Sequence, residues 1–157
     1  MGFQCASRRG ALWDHPLPLD DGTALPITAL STGSAHAFTF IDALPGDHRF
    51  FTISPQVEEH PLFPERTSLT WRHVESPTRL RLRIWERGAG ETWGCGTGAC
   101  AAAVAAIVHG FASPDEVITV ASRGGELMVR WQEGDPIEMT GPAEFVFEGT
   151  YPLQSAM

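Results

Sequence analysis

The feature that most restricts the fold is the run GTGACAAAVAAIVHG, residues 96–110. Its alanine content favours a helix, and Gly110 stands where a left-handed residue closes one. Between the ends lie Ala, Val, Ile and Cys, with no polar stripe. A helix that is apolar nearly all round belongs in a core, and neighbouring elements must cover it on every side. It is too short to span a bilayer. The rest of the chain therefore has to supply the covering surfaces.

Strand patterns supply them. HAFTFID (36–42) alternates, and TSLTWRHVE (67–75) and TRLRLRIWE (78–86) are the clearest strands. In the latter, Leu80, Leu82 and Ile84 face one side and Arg79, Arg81 and Arg83 the other. VITVAS (117–122), ELMVRWQ (126–132), PIEMTG (136–141) and EFVFEG (144–149) read as further short strands, with RGG and EGD as turns between them. SPQVEEHPLFP (54–64) predicts a short helix with Ser54 as its N-cap and Pro55 at its first position. Residues 1–28, with DHPLPLDDGTALP, read as an irregular tail or the remnant of another domain. The expected fold is α+β: one domain over 29–157, its short, mostly antiparallel strands wrapped around one buried central helix at about 96–110.

Charge and cysteine content limit the function. A net charge of −8 opposes non-specific nucleic-acid binding, which needs basic residues to replace phosphate counterions. No apolar run is long enough for a membrane span and no signal-peptide pattern is present. Three cysteines do not suit a disulfide framework, so a cytoplasmic setting is expected. All 11 basic residues are arginine. Without lysine this chain can form no internal Schiff base to pyridoxal phosphate and holds no P-loop lysine.

Cys95 is the residue with chemistry to offer. It precedes Gly96, Thr97 and Gly98, where the chain turns into the helix. The first N–H groups of a helix lack internal partners and the dipole there is positive. That setting favours a thiolate and cradles a carboxylate or oxyanion. A reactive Cys95 is the preferred reading, with a packed helix-start cysteine as the alternative. Cys100 reads as a small buried hydrophobe, and Cys5, with no helix after it, as a tail residue. Two cysteines five apart, with no further Cys/His pair, do not form a zinc site, so no metal is expected.

The stretch ERGAGET followed by CGTGACAAAVAA resembles the second-domain signature of the diaminopimelate epimerase family. GSAHAFTFIDAL (33–44), EEHPLFPERTSLTW (58–71), RLRIWERGAGET (81–92) and MTGPAEFVFEG (139–149) match that pattern in order and spacing. The resemblance implies an enzyme without a cofactor that interconverts LL- and meso-diaminopimelate, a lysine and peptidoglycan precursor. It implies two similar α+β domains, each giving one cysteine to a shared cleft. One thiolate removes the α-proton and the other thiol returns a proton to the opposite face. By this match Cys95 is catalytic. The match implies that the N–H groups of Gly96 and Thr97 hold the reacting carboxylate, that Arg87 binds the distal carboxylate, and that Glu86 and His36 tune the cysteines, with Glu86 also binding substrate. Taken alone, Glu86 and Arg87 also read as an exposed strand-end pair, and His36 as a hydrogen-bonded strand histidine.

The sequence departs from the family at three places. Ser34 and Ala35 stand where the family has Asn-Pro, and Ser68 where it has Asn. Both asparagines belong to the distal end of the substrate site, and serine is shorter with a single donor. The first domain and its cysteine have no counterpart. One thiol does not suffice for a two-base reaction. The chain then reads as a fragment or truncated homologue of a full epimerase, or takes its second acid from a second copy in a homodimer or from a complementing first-domain chain. The alternatives are a different amino-acid racemase acting as a homodimer, and an inactive module that binds a small amino acid. A phenazine-biosynthesis-type isomerase is disfavoured, since those lack the cysteine pair.

Overall fold

The structure is a computed structural model that describes residues 12–152. Its strands are β1 (Leu12–Pro18), β2 (Ala24–Ser31), β3 (Ala35–Phe40), β4 (Ser68–Ser76), β5 (Arg79–Glu86), β6 (Gly90–Thr92), β7 (Ile118–Ser122), β8 (Gly125–Arg130) and β9 (Glu138–Thr140). Helix α1 (Asp47–Glu58) lies between β3 and β4, and α2 (Gly96–Val108) between β6 and β7. The strands form one mixed sheet in the order β1-β2-β3-β4-β5-β7-β8-β9, with β6 paired to β5 off this path.

Two of the pairings are parallel, β3–β4 and β5–β7, and the others are antiparallel. Each parallel pair needs a crossover, and each crossover carries a helix. β4 and β5 are antiparallel, so the two parallel pairs run in opposite directions. Both crossovers step the same way across the sheet. Right-handed connections therefore place the two helices on opposite faces.

The cores agree with that geometry. On one face Leu30, Phe38, Leu80, Leu82, Ile84, Val120 and Val129 enclose α2, whose Ala101, Ala102, Ala103, Ala105 and Ala106 are 0% exposed. On the other face Leu17, Leu25, Ile27, Ala37, Leu69 and Trp71 pack against Phe50 and Val57 of α1. The α+β class, the mostly antiparallel sheet and the buried helix expected at about 96–110 are all present. The alternation in β5 also holds, with Leu80, Leu82 and Ile84 toward α2.

Three expectations are corrected. The part of the 1–28 tail that is described forms the hairpin β1–β2, and residues 1–11, Cys5 among them, lie outside the described residues. Its prolines are compatible with an edge: β1 ends the sheet order, and Pro16 faces Pro26 where neither residue needs to donate. The helix read at 54–64 runs instead over Asp47–Glu58, with Gly46 as N-cap and Pro55 inside it. Burial of Phe50 and Val57 outweighs the lost hydrogen bond at Pro55, and Ser54 turns inward to accept from the Trp71 indole N–H at 2.9 Å. Finally, EFVFEG (144–149) has no strand partner among the described residues and is exposed throughout, and β9 is confined to Glu138–Thr140.

Candidate active site

Cys95 is the N-cap of α2, with extended backbone at φ −142° and ψ 109°. The Gly98 N–H donates to its Sγ at 3.4 Å, and the Ala99 N–H to its carbonyl at 2.8 Å. Thr97 Oγ1 lies 3.5 Å from the sulfur. The Gly96 and Thr97 N–H groups precede the first intrahelical donor, as at any helix start. The first turn of α2 holds no acidic side chain to offset the dipole. The glycines there reflect close approach. A Cβ on Gly98 would lie 3.3 Å from Cys95 Sγ and 3.7 Å from His36 Cε1.

His36 reaches this helix start from β3. It is 2% exposed, and its Nε2 lies 3.2 Å from Thr97 Oγ1. His36, Thr97 and Cys95 thus form a continuous polar chain ending at the sulfur. Burial lowers the His36 pKa from its usual value, with Glu86 opposing and Arg87 adding to the shift. The imidazole is therefore neutral near pH 7. Its Nδ1 is buried with no hydrogen-bond partner among the described residues.

The remaining candidates converge on the same end of the sheet. Ser68 is the register partner of His36 across the parallel pair β3–β4. Its hydroxyl accepts the Arg87 N–H at 3.1 Å. The Arg87 guanidinium is exposed and donates to the Glu65 carbonyl at 2.9 Å. Glu86, at the end of β5, accepts from the Thr92 hydroxyl. Ser34 lies just before β3, half-buried, its carbonyl accepting the Thr32 N–H. The starts of β3 and β4 and the end of β5 thus lie at one edge, and His36, through Thr97, joins that edge to Cys95 at the start of α2.

Sequence reasoning missed Glu58. This buried carboxylate accepts from Trp85 Nε1 at 2.6 Å and from the Gly88 N–H at 2.8 Å, fixing the turn that presents Arg87. The only hint was its place at the start of the quoted EEHPLFP stretch. Cys100 behaves as expected of a packed thiol: burial, and then the nearby Cys95, push its pKa up. A groove of about 610 Å³ on the opposite face of the sheet is lined by Arg79, Arg81 and Arg83 beside Asp47, Glu91 and Glu126, and excludes Cys95. Among the described residues no cluster of three or more His, Cys, Asp or Glu side chains is placed to hold a metal ion. No helix among them is long and apolar enough to cross a membrane.

Chemically, the edge offers a partly exposed thiol, a helix start able to hold a carboxylate, a neutral histidine linked to the thiol through a hydroxyl, and an arginine nearby. Residues 28–146 match the diaminopimelate epimerase family. The chain is 44% identical over 142 residues to the diaminopimelate epimerase of Pelotomaculum thermopropionicum, covering 88% of this chain and 49% of that protein. It is 46% identical over 136 residues to that of Desulfovibrio desulfuricans, covering 85% and 46%. The chain thus spans about half the length of the curated relatives it matches. Among solved structures, a probable proline racemase from Agrobacterium radiobacter K84 superposes with a TM-score of 0.59 at 16% identity, covering 81% of this chain and 45% of that one. A hydroxyproline epimerase from Agrobacterium vitis gives 0.58 at 14% identity, covering 81% and 44%. These two likenesses show a shared fold.

Proposed function

The chain belongs to the diaminopimelate epimerase family, and we propose that it provides the Cys95-bearing half of a cofactor-independent amino-acid epimerase site. In this reading Cys95 works as a thiolate base. It takes the α-proton of a bound amino acid, so the Cα–H bond breaks and an S–H bond forms. The electron pair moves toward the substrate carboxylate. The Gly96 and Thr97 N–H groups receive the growing negative charge, which stabilises the transition state more than the ground state. An acid on the far face then returns a proton and inverts the centre.

The observation that carries this reading is the placement of Cys95 as N-cap of α2, its sulfur accepting the Gly98 N–H. His36, through Thr97, holds the thiol's orientation. Glu86 lends negative charge beside His36. Arg87, fixed by Ser68 and the Glu58-anchored turn, is the anchor for a second, distal carboxylate. Diaminopimelate has such a group, which makes it the proposed substrate. Ser34 and Ser68 reach less far than asparagine toward its distal amino-acid end. The second acid comes from another cysteine-bearing unit, either a second copy of this chain or a complementing chain, in the cytoplasm.

The test is solvent isotope exchange. The protein, incubated with diaminopimelate in deuterium oxide without pyridoxal phosphate, is expected to wash deuterium into the α-position. Cys95→Ala is expected to abolish this. Exchange that survives the substitution removes Cys95 from the mechanism. Exchange without inversion identifies a one-base half-site.

A further inference from the structure

The helix start is held by something outside its own strand and helix. Between β6, which ends at Thr92, and the N-cap Cys95 lie only Trp93 and Gly94. β6 itself is three residues long and pairs only with β5. The connector meets a different part of the sheet at the tip of the β7–β8 hairpin, whose last pair is Ser122↔Gly125. There the Gly124 N–H donates to the Trp93 carbonyl at 2.6 Å. The Arg123 guanidinium lies 4.9 Å from the Trp93 ring centroid, a cation–π distance. The hairpin tip therefore grips Trp93 through backbone and side chain together, two residues before the sulfur.

The two glycines of that tip have different reasons for being glycine. Gly125 has φ +131° with nothing within 4 Å of a built Cβ, so its requirement is conformational. Gly124 is not in the left-handed region. A Cβ there would instead lie 2.8 Å from the Trp93 oxygen and 3.1 Å from its carbonyl carbon. Those are backbone atoms, which cannot swing aside. Gly94, adjacent to Cys95 in sequence, is different again: its Cβ would sit 3.7 Å from Ser122 Oγ, an ordinary contact.

We infer that Gly124 is a positioning residue for the Cys95 site, setting where the thiol and the Gly96 and Thr97 N–H groups stand by fixing the Trp93 carbonyl. The inference rests on Cys95 being the working thiol. Its consequence runs against sequence proximity. Gly94→Ala, next to the cysteine, is tolerated, while Gly124→Ala, 29 positions from Cys95 by number, displaces it. A displacement of about 1 Å in such a site lowers a reaction rate by tenfold to a hundredfold.

The test is the pH profile of Cys95 alkylation by iodoacetamide, read by mass spectrometry with Cys100 as internal reference. Wild type, Gly94→Ala, Gly124→Ala and the core variant Val129→Ala are compared. Val129 is 0% exposed on β8, so its truncation lowers stability without touching Trp93. Gly124→Ala is expected to shift the Cys95 profile along the pH axis, because the thiolate fraction follows where the sulfur stands at the helix start. Gly94→Ala and Val129→Ala are expected to superimpose on wild type. A folded Gly124→Ala whose profile matches wild type overturns the inference, as does a Val129→Ala profile that shifts equally. Should Gly124→Ala not fold, Arg123→Ala replaces it, and an unchanged profile there overturns the inference as well. A wild type in which Cys95 reacts no faster than Cys100 overturns the reading of Cys95 itself, a separate outcome.

Discussion

His36 sits 2% exposed between β3 and the first turn of α2, and its burial couples folding to pH. Its folded pKa lies below the unfolded value of about 6.5. Above that value both states hold a neutral ring, and the stability is fully present. As pH falls below it the unfolded chain takes up a proton that the folded chain resists, so stability declines until the folded pKa is passed. His109, at the end of α2, has the same sign: burial lowers its pKa, and Asp14 partly offsets this. The melting temperature is therefore expected to be flat above about pH 7 and to fall on acidification toward about pH 5. His36→Gln removes part of that slope. An unchanged slope in the variant, or a flat profile in wild type, contradicts the buried neutral histidine. At this scale the sequence was informative where residues sit next to the cysteine in the chain. Gly96, Thr97 and Gly98 could be read from the helix start alone. His36, Ser68 and Arg87 gained meaning only through resemblance, because the parallel register of β3 and β4 that joins them is not local. Glu58 lies in the matched EEHPLFP stretch and Gly124 in the RGG turn, but neither pattern shows the distant group each one meets, the Trp85 indole and Gly88 N–H for Glu58 and the Trp93 carbonyl for Gly124.

Element by element, legibility followed the balance between local signals and burial. Helix α2 was plain because nothing in its sequence tolerates water. Its five alanines at 0% exposure leave no room for larger side chains between the helix and the sheet. Ala105→Leu is expected to cost about 1–3 kcal/mol or more through overpacking, read as a lowered denaturation midpoint at unchanged m-value. A variant as stable as wild type would mean the sheet yields to the helix more easily than this packing implies. Helix α1 was misplaced for a physical reason. Ser54-Pro55 carries the marks of a helix start, yet the helix already began at Asp47, and Ser54 serves the Trp71 indole instead. The hairpin β1–β2 was hidden by its prolines, although Leu17, Leu25 and Ile27 bury fully or nearly so. EFVFEG erred the other way: alternation predicts a strand with one buried face, and no neighbouring strand is present among the described residues.

At the scale of the whole molecule, the proposed chemistry asks for more than these residues supply. Inversion needs two proton-carrying groups on opposite faces of one α-carbon. Cys100 cannot be the second. It lies five positions along the same helix, roughly 140° around its axis from Cys95, and packs against the α2 core with its thiol pushed toward the neutral form. The second group must approach from across the edge where Cys95 lies. The molecule also carries apolar surface that its own sheet does not cover: Phe145, Val146, Phe147 and Tyr151 are 79%, 84%, 80% and 85% exposed. Exposed apolar side chains clustered in this way mark partner surfaces. We propose a second copy as the partner, since a two-fold axis sets one patch against itself, and as part of the same proposal the two Cys95 thiols approach one another in that dimer. Size-exclusion chromatography with light scattering is then expected to give twice the chain mass of 17.1 kDa. Mild oxidation is expected to cross-link the wild type and not Cys95→Ser, and Phe145→Asp with Phe147→Asp is expected to shift the species to monomer. A complementing chain predicts the opposite pattern: a monomer alone, no cross-link, and inversion that appears only on adding a second cysteine-bearing domain. A strict monomer that exchanges and inverts by itself would defeat both arrangements.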